Sequence, residues 1–390
     1  MQSNIPRETF EQSDSNGSPL PITPASGQGS HIWDQANNEY IDFAGGISIN
    51  TLGYCHPQLI QAFQQQTDTL WQINNVWAQQ PALQLAKALC EKTFAHHVHF
   101  ATSGADAIAA AFKLARTYAL EHFGPKKTEI IRCKNKKNSP STEYTPEDTT
   151  YVAFNNIDNL KCAINNNTCA VVIEPIQEEN ELTSADPSYL KSVRALCDHY
   201  SALLIFDEIQ TGMGRTGKLF AYQHYNVIPD ILTSANALAS GLPLAAMLCN
   251  EAVTRSLQTS TPETPYSGNP LACAIANKVL SIIDTSSVLD GVERKHTEFI
   301  NQLERANQLH PVFKTFRGQG LLMGCLLLPE YQGKAYQLMQ IALEEGVIVL
   351  TAGENMIRLT PSLIIPTEDI SAGIERLSAA MRRFIKLNKS

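Results

Sequence analysis

The chain has 390 residues, of which 43% are hydrophobic and 17% are charged. This length and composition exclude a disordered chain and predict a globular protein with a large core and two or more structural units. The formal net charge of −8 and the sequence pI near 5.7 argue against nucleic acid or an anionic membrane as the main partner.

The sequence shows no pattern of a targeting signal or of a membrane segment. No apolar run approaches the roughly 20 residues that span a bilayer, and residues 1–17 lack the apolar region of a signal peptide. The nine cysteines are scattered and form no CxxC pair, which is typical of free thiols in a reducing compartment. We therefore expect a cytoplasmic protein.

The first hundred residues predict an arm, a hairpin and helices. Residues 1–30 are rich in Ser, Pro, Gly and Gln, which is typical of an extended arm. Residues 31–43 alternate enough to predict a short hairpin, and a glycine-rich loop follows them. Residues 57–93 carry apolar side chains at helical spacing.

A strand, a tight turn at Ser103-Gly104 and an Ala-rich helix are predicted in residues 98–120. The start of a helix presents backbone N–H groups that bind anions, although an ordinary strand–helix junction would show the same pattern. Residues 132–150 are polar, Lys-rich and Pro-containing, which predicts a solvated loop. Residues 169–177 follow as a buried strand.

The central stretch, residues 203–248, carries the polar groups of greatest interest. The apolar run Leu203–Phe206 ends in the acidic pair Asp207-Glu208, and a glycine-punctuated turn follows. A second apolar run then leads to Asn236. Open α/β sheets place their ligands at the carboxyl ends of buried strands, so this stretch predicts a site.

Strands that alternate with helices through the middle of the chain predict a mainly parallel sheet with right-handed crossovers. Beyond about residue 290 the pattern becomes that of a small α+β domain. We expect residues 1–45 to form an N-terminal arm and part of the small domain. Residues 46–290 would form a large α/β domain, and residues 291–390 the C-terminal small domain.

From about Pro6 to Phe384, the chain resembles one enzyme family. The segments YIDFAGGI, SGA, EPIQ, FDEIQTGMGRTG, YSGNPLA and MIRLTPSL occur in the order of the class III, fold-type-I aminotransferases. The resemblance is greatest to N-succinylornithine and N-acetylornithine aminotransferases. It implies a large domain with a mainly parallel sheet and flanking helices, a smaller α+β domain, pyridoxal 5'-phosphate (PLP), and transaminase activity in arginine and ornithine metabolism.

The resemblance also assigns roles to residues around the cofactor. Asp207 matches the aspartate that pairs with the protonated pyridine nitrogen, where an anion is needed to hold the proton near neutral pH. Gln210 matches the glutamine near the ring hydroxyl. Ser103, Gly104 and Ala105 match the turn that binds the phosphate, chiefly through backbone amides.

Two further matches concern the substrate. Arg358 matches the arginine that holds the α-carboxylate, a bidentate task suited to a guanidinium, whereas the alternative is a surface arginine on a strand. Glu179 matches a gating glutamate in the segment after EPIQ. There, Glu178-Glu179-Asn180 stands where the family has Gly-Glu-Gly.

Asn236 departs from the family at its central position. The family has a lysine there, which forms the Schiff base with PLP and then moves the substrate proton. The Asn236 amide is neither nucleophilic nor basic, so any PLP bound here would not be held covalently at Asn236. Loss of general acid–base catalysis alone lowers a rate by about 10²–10⁴-fold. Since the lysine is the catalytic residue of the family, we expect no catalytic residue to be intact.

Other departures gather around the cofactor. Lys137, Asn138, Ser139 and Pro140 stand where the family has Phe-His-Gly-Arg, whose aromatic ring packs on the cofactor. Pro265 replaces the threonine that reaches the PLP phosphate of the neighbouring subunit. The core segments keep the family pattern, so the clustering indicates drift or repurposing of the site.

Four functions remain open from the sequence. The first is a PLP-fold pseudoenzyme that folds and dimerises but does not transaminate. The second is an enzyme with altered chemistry on acyl-ornithine-like amino acids, in which Lys136 or Lys137 replaces the lost lysine instead of being a solvated loop charge. The third is an acyl-amino-acid binding protein that uses Arg358, and the fourth is an ordinary aminotransferase.

The resemblance implies a homodimer with a small amino-acid ligand. A heterodimer with an active paralogue is a variant of the pseudoenzyme hypothesis, although Pro265 argues against its simple form. No metal site is expected, because His97 and His99 would face one side of a strand and no third ligand is evident.

Overall fold

The computed structural model of the protein describes residues 22–73, 77–134, 149–257 and 264–389, with the side chain of Glu179 excepted. In chain order the strands are β1 (Pro24–Gln28), β2 (His31–Asp34), β3 (Glu39–Asp42), β4 (His97–Ala101), β5 (Glu129–Cys133), β6 (Thr149–Val152), β7 (Thr168–Ile173), β8 (Ile176–Gln177), β9 (Thr183–Ser184), β10 (Leu203–Asp207), β11 (Ile231–Ser234), β12 (Ala245–Cys249), β13 (Phe313–Gln319), β14 (Leu322–Leu327), β15 (Val347–Ile348), β16 (Leu350–Thr351) and β17 (Met356–Leu359). The helices are α1 (Gly45–Ser48), α2 (Pro57–Thr67), α3 (Gln80–Lys92), α4 (Gly104–Phe123), α5 (Ile157–Ala163), α6 (Pro187–Tyr200), α7 (Glu251–Leu257), α8 (Pro270–Ile283), α9 (Ser286–Leu309), α10 (Ala335–Glu344) and α11 (Thr367–Asn388).

A mixed sheet with strand order β4-β12-β11-β10-β7-β5-β6 forms the centre of the fold. Strand β10 pairs in parallel with β7 and β11, and β5 pairs in parallel with β6 and β7. Strand β12 is antiparallel to both β11 and β4. The predicted α/β fold with a mainly parallel sheet is therefore confirmed.

The middle strands of this sheet are buried on both faces, which explains their nearly continuous apolar sequence. Along β7, Val171 and Ile173 pack into the larger core, whereas Ala170 and Val172 pack into the core on the opposite face. Helix α4 covers that opposite face. Its alanines allow the helix to lie close to the sheet.

The central parallel strands end at the same level of the sheet, so the residues that follow them lie close together. Ile173 of β7 lies opposite Phe206 of β10, and Asp207 lies opposite Thr233 of β11. Residues that follow these strands therefore share the carboxyl edge of the sheet. Asp207 and the segment that begins at Asn236 meet at this edge, as the sequence predicted from the ends of buried strands.

The C-terminal part contains an antiparallel sheet of order β13-β14-β17-β16. A separate sheet of order β1-β2-β3-β15 joins the N-terminal strands to the C-terminal part, with β3 and β15 parallel. Helices α9 and α11 lie against each other, and Gln302 donates a hydrogen bond to Ser371 between them at 3.0 Å. The domain boundaries expected from the sequence stay a proposal.

All nine cysteines are free thiols. Within the described ranges, no single helix has the length and apolar character to cross a membrane. The bent pair α8 and α9, with 67° between the two helices, does meet the same criterion of length and composition.

Candidate active site

The Asp207 carboxylate is held in place at the carboxyl edge of the central sheet. Its Oδ1 accepts hydrogen bonds from Thr233 Oγ1 at 3.1 Å and from the Ile209 N–H at 3.2 Å. The first bond spans to the neighbouring strand β11, and the second closes the turn after β10. The carboxylate is therefore held in one orientation and is partly exposed.

The adjacent Glu208 has a different, structural role. It is fully buried, and it accepts hydrogen bonds from the Tyr222 N–H at 2.8 Å, from the Ala221 N–H and from Thr211 Oγ1. Burial raises the pKa of Glu208 to about 7, although the backbone N–H groups oppose the rise. Successive residues of a strand face opposite sides, so one acid of the pair lies at the site and the other fixes the glycine-rich loop.

Asn236 begins a one-turn 3-10 segment directly after β11, Asn236–Ala239. Its φ of +47° lies in the left-handed region, which asparagine tolerates better than most residues. Ala237 and Leu238 are buried and anchor the turn, whereas the Asn236 side chain is half-buried. Among the described residues, this side chain has no hydrogen-bond partner.

Several polar atoms around this edge lack partners within the described ranges. These buried atoms are Gln210 Oε1, Ser234 Oγ and Ser240 Oγ. Buried polar groups in native structures nearly always have partners, so such a cluster is typical of a site that receives a ligand or ordered water. Gln210 belongs to this group of unpaired atoms, and its place near a cofactor ring stays a prediction.

The predicted phosphate turn also lies at this edge. A Cβ added at Gly104 would approach Ile209 Cδ1 to 2.8 Å, so the start of α4 lies against the loop that follows Asp207. Ser103 caps α4, and its Oγ accepts from the Asp106 N–H at 3.2 Å. The first N–H groups of a helix, here including that of Ala105, have no partner within the helix, and such groups can bind an anion.

The hydroxyl groups of this turn donate hydrogen bonds to a carboxylate of the chain itself. Asp106 Oδ2 accepts hydrogen bonds from Ser103 Oγ at 2.8 Å and from Thr102 Oγ1. These bonds, that of Thr102 first, lower the pKa of Asp106, so it is an anion at neutral pH. Asp106 thus fixes the hydroxyls of Thr102 and Ser103 at the start of α4.

Arg358 is buried on β17, with 4% of its surface exposed, and the alternative of a surface arginine is excluded. Its Nη1 forms an ion pair with Glu178 Oε1, while its Nε is buried without a partner among the described residues. Burial lowers the pKa of Arg358 to about 10, which leaves it charged at neutral pH. Arg358 is therefore a buried cation paired with a carboxylate of the chain, and its role in binding a substrate carboxylate stays a prediction.

Sequence reasoning assigned the gating role to Glu179, whose side chain lies outside the described residues. The structure pairs Arg358 with the preceding residue, Glu178, and the gating role of Glu179 stays a prediction. The sequence did carry a signal for Glu178, because a glutamate stands there in place of the family glycine, next to a second glutamate.

A second ion pair at this edge was not predicted. Lys134, just after β5, lies 3.5 Å from Glu174, just after β7, and Lys134 is 4% exposed. The predicted replacement lysines, Lys136 and Lys137, and the positions Asn138 and Pro140 lie outside the described residues. Among the residues that the structure describes, Lys134 is therefore the lysine found at this edge, and it forms an ion pair with Glu174.

Pro265 is exposed on the surface of the chain. Its carbonyl accepts a hydrogen bond from Gln72 Nε2, and Asn269 Nδ2 donates to the Trp71 carbonyl at 2.9 Å. Among the described residues, no cluster of three or more His, Cys, Asp or Glu side chains could hold a metal ion.

These residues fit only part of PLP. Asp207 and Gln210 suit the pyridine ring. Ser103, Gly104 and Ala105 would hold its phosphate, and Asp106 already accepts a hydrogen bond from the Ser103 hydroxyl. Asn236 offers no amine for a covalent bond to the cofactor. At Asn236 the site therefore does not fit covalently held PLP.

Comparisons with known proteins found one family model and similar chains that match most of the sequence. The family described as aminotransferase class-III matches residues 12–139 and 136–381. The chain is 47% identical over 383 residues to an acetylornithine/succinyldiaminopimelate aminotransferase of Yersinia pestis, covering 94% of this chain and 95% of that protein. It is 45% identical over 401 residues to a succinylornithine transaminase of Photorhabdus laumondii, covering 99% and 100%.

Solved structures show the same similarity. An N-acetylornithine aminotransferase from Stenotrophomonas maltophilia superposes with a TM-score of 0.87 at 35% identity, covering 96% of this chain and 99% of that one. An ornithine aminotransferase from Toxoplasma gondii superposes with a TM-score of 0.89 at 28% identity, covering 97% and 94%.

Proposed function

The chain belongs to the class III aminotransferase family, which depends on PLP. We propose that within this family it is a non-transaminating pseudoenzyme of ornithine metabolism. The carrying observation is Asn236, which occupies the position of the Schiff-base lysine. The relatives are named for acetylornithine and succinylornithine, so we place the chain among cytoplasmic proteins that handle acyl-ornithine-like amino acids.

The described lysine at the site supports this proposal. Lys134 is buried against Glu174, and a protonated lysine in an ion pair is a poor nucleophile. It follows β5, which is separated from β10 and Asp207 by β7 in the sheet. For Lys134 to replace the missing lysine, this pair would have to break and the edge of the sheet would have to rearrange.

The two anion positions of the family support the proposal further. Asp106 takes the hydroxyls of the phosphate turn, and Glu178 takes the guanidinium of Arg358. Both carboxylates belong to the chain. The Ser103 hydroxyl and the Arg358 guanidinium therefore each have a carboxylate partner in the absence of cofactor and substrate. A second candidate function, an acyl-amino-acid binding protein, is favoured only by the retention of buried Arg358, and it requires Glu178 to move away.

Titration with PLP tests this proposal directly. We expect no absorbance band of a PLP–lysine Schiff base, and no pyridoxyl group on any peptide after borohydride reduction, because Asn236 has no amine. The acetylornithine aminotransferase of Pseudomonas putida, 45% identical, serves as the positive control. A borohydride-stable pyridoxyl group on Lys134 or on any other lysine, found by peptide mass spectrometry, would overturn the proposal.

We also propose that the chain forms a homodimer through an aromatic patch. Trp71, Trp77 and Tyr266 are 61%, 65% and 66% exposed. Their segments lie together, because Gln79 Nε2 donates to the Gly268 carbonyl at 2.7 Å and Asn269 bonds the Trp71 carbonyl. Large exposed aromatic clusters mark interfaces, and a second copy is the occupant that the family fold favours.

Sedimentation tests the dimer. The variant Trp71→Glu is expected to sediment as a monomer at concentrations where the wild type is a dimer, because two charges would be buried across the interface. Ile228→Glu is the matched control, since Ile228 is 58% exposed outside the patch. A wild-type monomer, or an unchanged dimer in Trp71→Glu, would contradict the proposed interface.

A further inference from the structure

We propose that a basic cleft at the end of the C-terminal part binds a small organic phosphate. The basic cleft has a volume of about 480 Å³ and is lined by His310, Arg382, Ile385, Lys386 and Lys389. None of these residues belongs to the candidate active site. The volume lies within the range of roughly 300–1,000 Å³ that small-molecule sites usually occupy.

Two packed helices shape the basic cleft. Helix α9 ends at Leu309, and its C-cap His310 forms one wall. The last turns of α11 form the other wall, with Arg382, Lys386 and Lys389 at spacings of four and three residues on one side of the helix. Buried apolar residues of both helices hold the walls together beneath the cleft: Leu303, Ala306, Leu377, Met381 and Phe384.

The cations of the basic cleft lack carboxylate partners. Within the described ranges, Arg382, Lys386 and Lys389 form no ion pair. By contrast Arg383, their exposed neighbour on α11, pairs with Glu344 at 2.5 Å and with Glu345 at 3.5 Å. The unpaired cations are therefore those that face the cleft, while the arginine that faces α10 is neutralised.

The helix dipole explains only part of this pattern. Cations near a helix C-terminus are favourable, which accounts for Lys386 and Lys389 close to the end of α11 at Asn388. The effect falls off within the last turn, so it does not account for Arg382, six residues before that end. Like charges four residues apart on a helix also repel each other. A bound anion would relieve this repulsion.

The lining indicates the class of ligand. Two to three cations facing one cleft suit a group with two or more negative charges, and guanidinium matches phosphate geometry. The half-buried Ile385 adds an apolar surface between the cations. The chain as a whole has a net charge of −8, so an anion is attracted to a local cluster of positive charge and not to the rest of the surface. A nucleoside diphosphate has both the charge and the apolar part.

Isothermal titration calorimetry with ADP tests this site. We expect ADP to bind wild type at low salt, to bind more weakly at high salt because the contacts are exposed, and to bind more tightly than inorganic pyrophosphate. The double variant Arg382→Gln/Lys386→Gln is expected to lose at least about tenfold in affinity, because two charge-assisted contacts are removed.

Arg383→Gln is the matched control, because it removes one positive charge from the adjacent residue of the same helix outside the cleft. Its affinity for ADP is expected to stay within about twofold of wild type, and circular dichroism checks that both variants fold. No ADP binding at low salt, equal binding by the double variant, or tighter binding of pyrophosphate would each overturn the proposal. So would exclusive binding of an acidic peptide.

Discussion

Asn236→Lys is expected to restore no measurable transamination of N-succinylornithine with 2-oxoglutarate. The new lysine would enter a position with φ of +47°, where most side chains are strained by roughly 1–2 kcal/mol. It would also face a site in which Asp106 still holds the Ser103 hydroxyl and Glu178 still holds Arg358. The rate of glutamate formation measures the outcome.

The matched control for this experiment is Asn236→Gln, which lengthens the side chain without adding an amine. Borohydride reduction of both variants separates attachment from turnover: a pyridoxyl group on Asn236→Lys without activity would locate the remaining defect in the anion positions. Activity of Asn236→Lys within about a hundredfold of the Pseudomonas putida relative would contradict our description of the site, since acid–base catalysis alone accounts for about 10²–10⁴-fold.

Glu178→Ala is expected to destabilise the protein by about 3–5 kcal/mol and to create a carboxylate-binding site. Arg358 is 4% exposed, and its Nε already lacks a partner among the described residues. Removing Glu178 leaves a buried, uncompensated guanidinium, which is the costly way to break a buried pair. Chemical denaturation of the variant and the wild type measures the loss.

Added succinate should then recover much of this stability, because its carboxylate replaces that of Glu178. At a succinate concentration a hundred times the dissociation constant, the recovery would be about 2.7 kcal/mol. Wild type should show no such response, since its own carboxylate fills the position. The double variant Glu178→Ala/Arg358→Met should be more stable than Glu178→Ala and insensitive to succinate. A succinate response in the double variant would place the binding elsewhere.

Together these two experiments separate the ways in which the site departs from its family. Asn236 concerns the covalent anchor, whereas Glu178 concerns access to the substrate arginine. A protein that binds succinate after Glu178→Ala but gains no activity after Asn236→Lys would have a functional anion site and no catalytic centre. That outcome would favour the acyl-amino-acid binding function over an altered enzyme.

Much of the site was predictable because its signals are local. Strand β10 is an apolar run that ends in acidic residues, so the position of Asp207 at a ligand-binding edge followed from the sequence. The departure at Asn236 is a matter of chemical identity, and it needs no coordinates. Ser103 was likewise predictable as the start of α4, because a hydroxyl before an Ala-rich run is typical of an N-cap.

The sequence by itself determined the α/β class, the mainly parallel sheet and the family, because these depend on local pattern and residue type. Only the tertiary structure decided which charges neutralise each other. Glu178 and Arg358 are 180 residues apart, and Glu174 and Lys134 are 40 apart, so no spacing rule predicts either pair. Ion pairs form where sheet register and loop geometry bring side chains within about 4 Å, and that is a property of the folded chain.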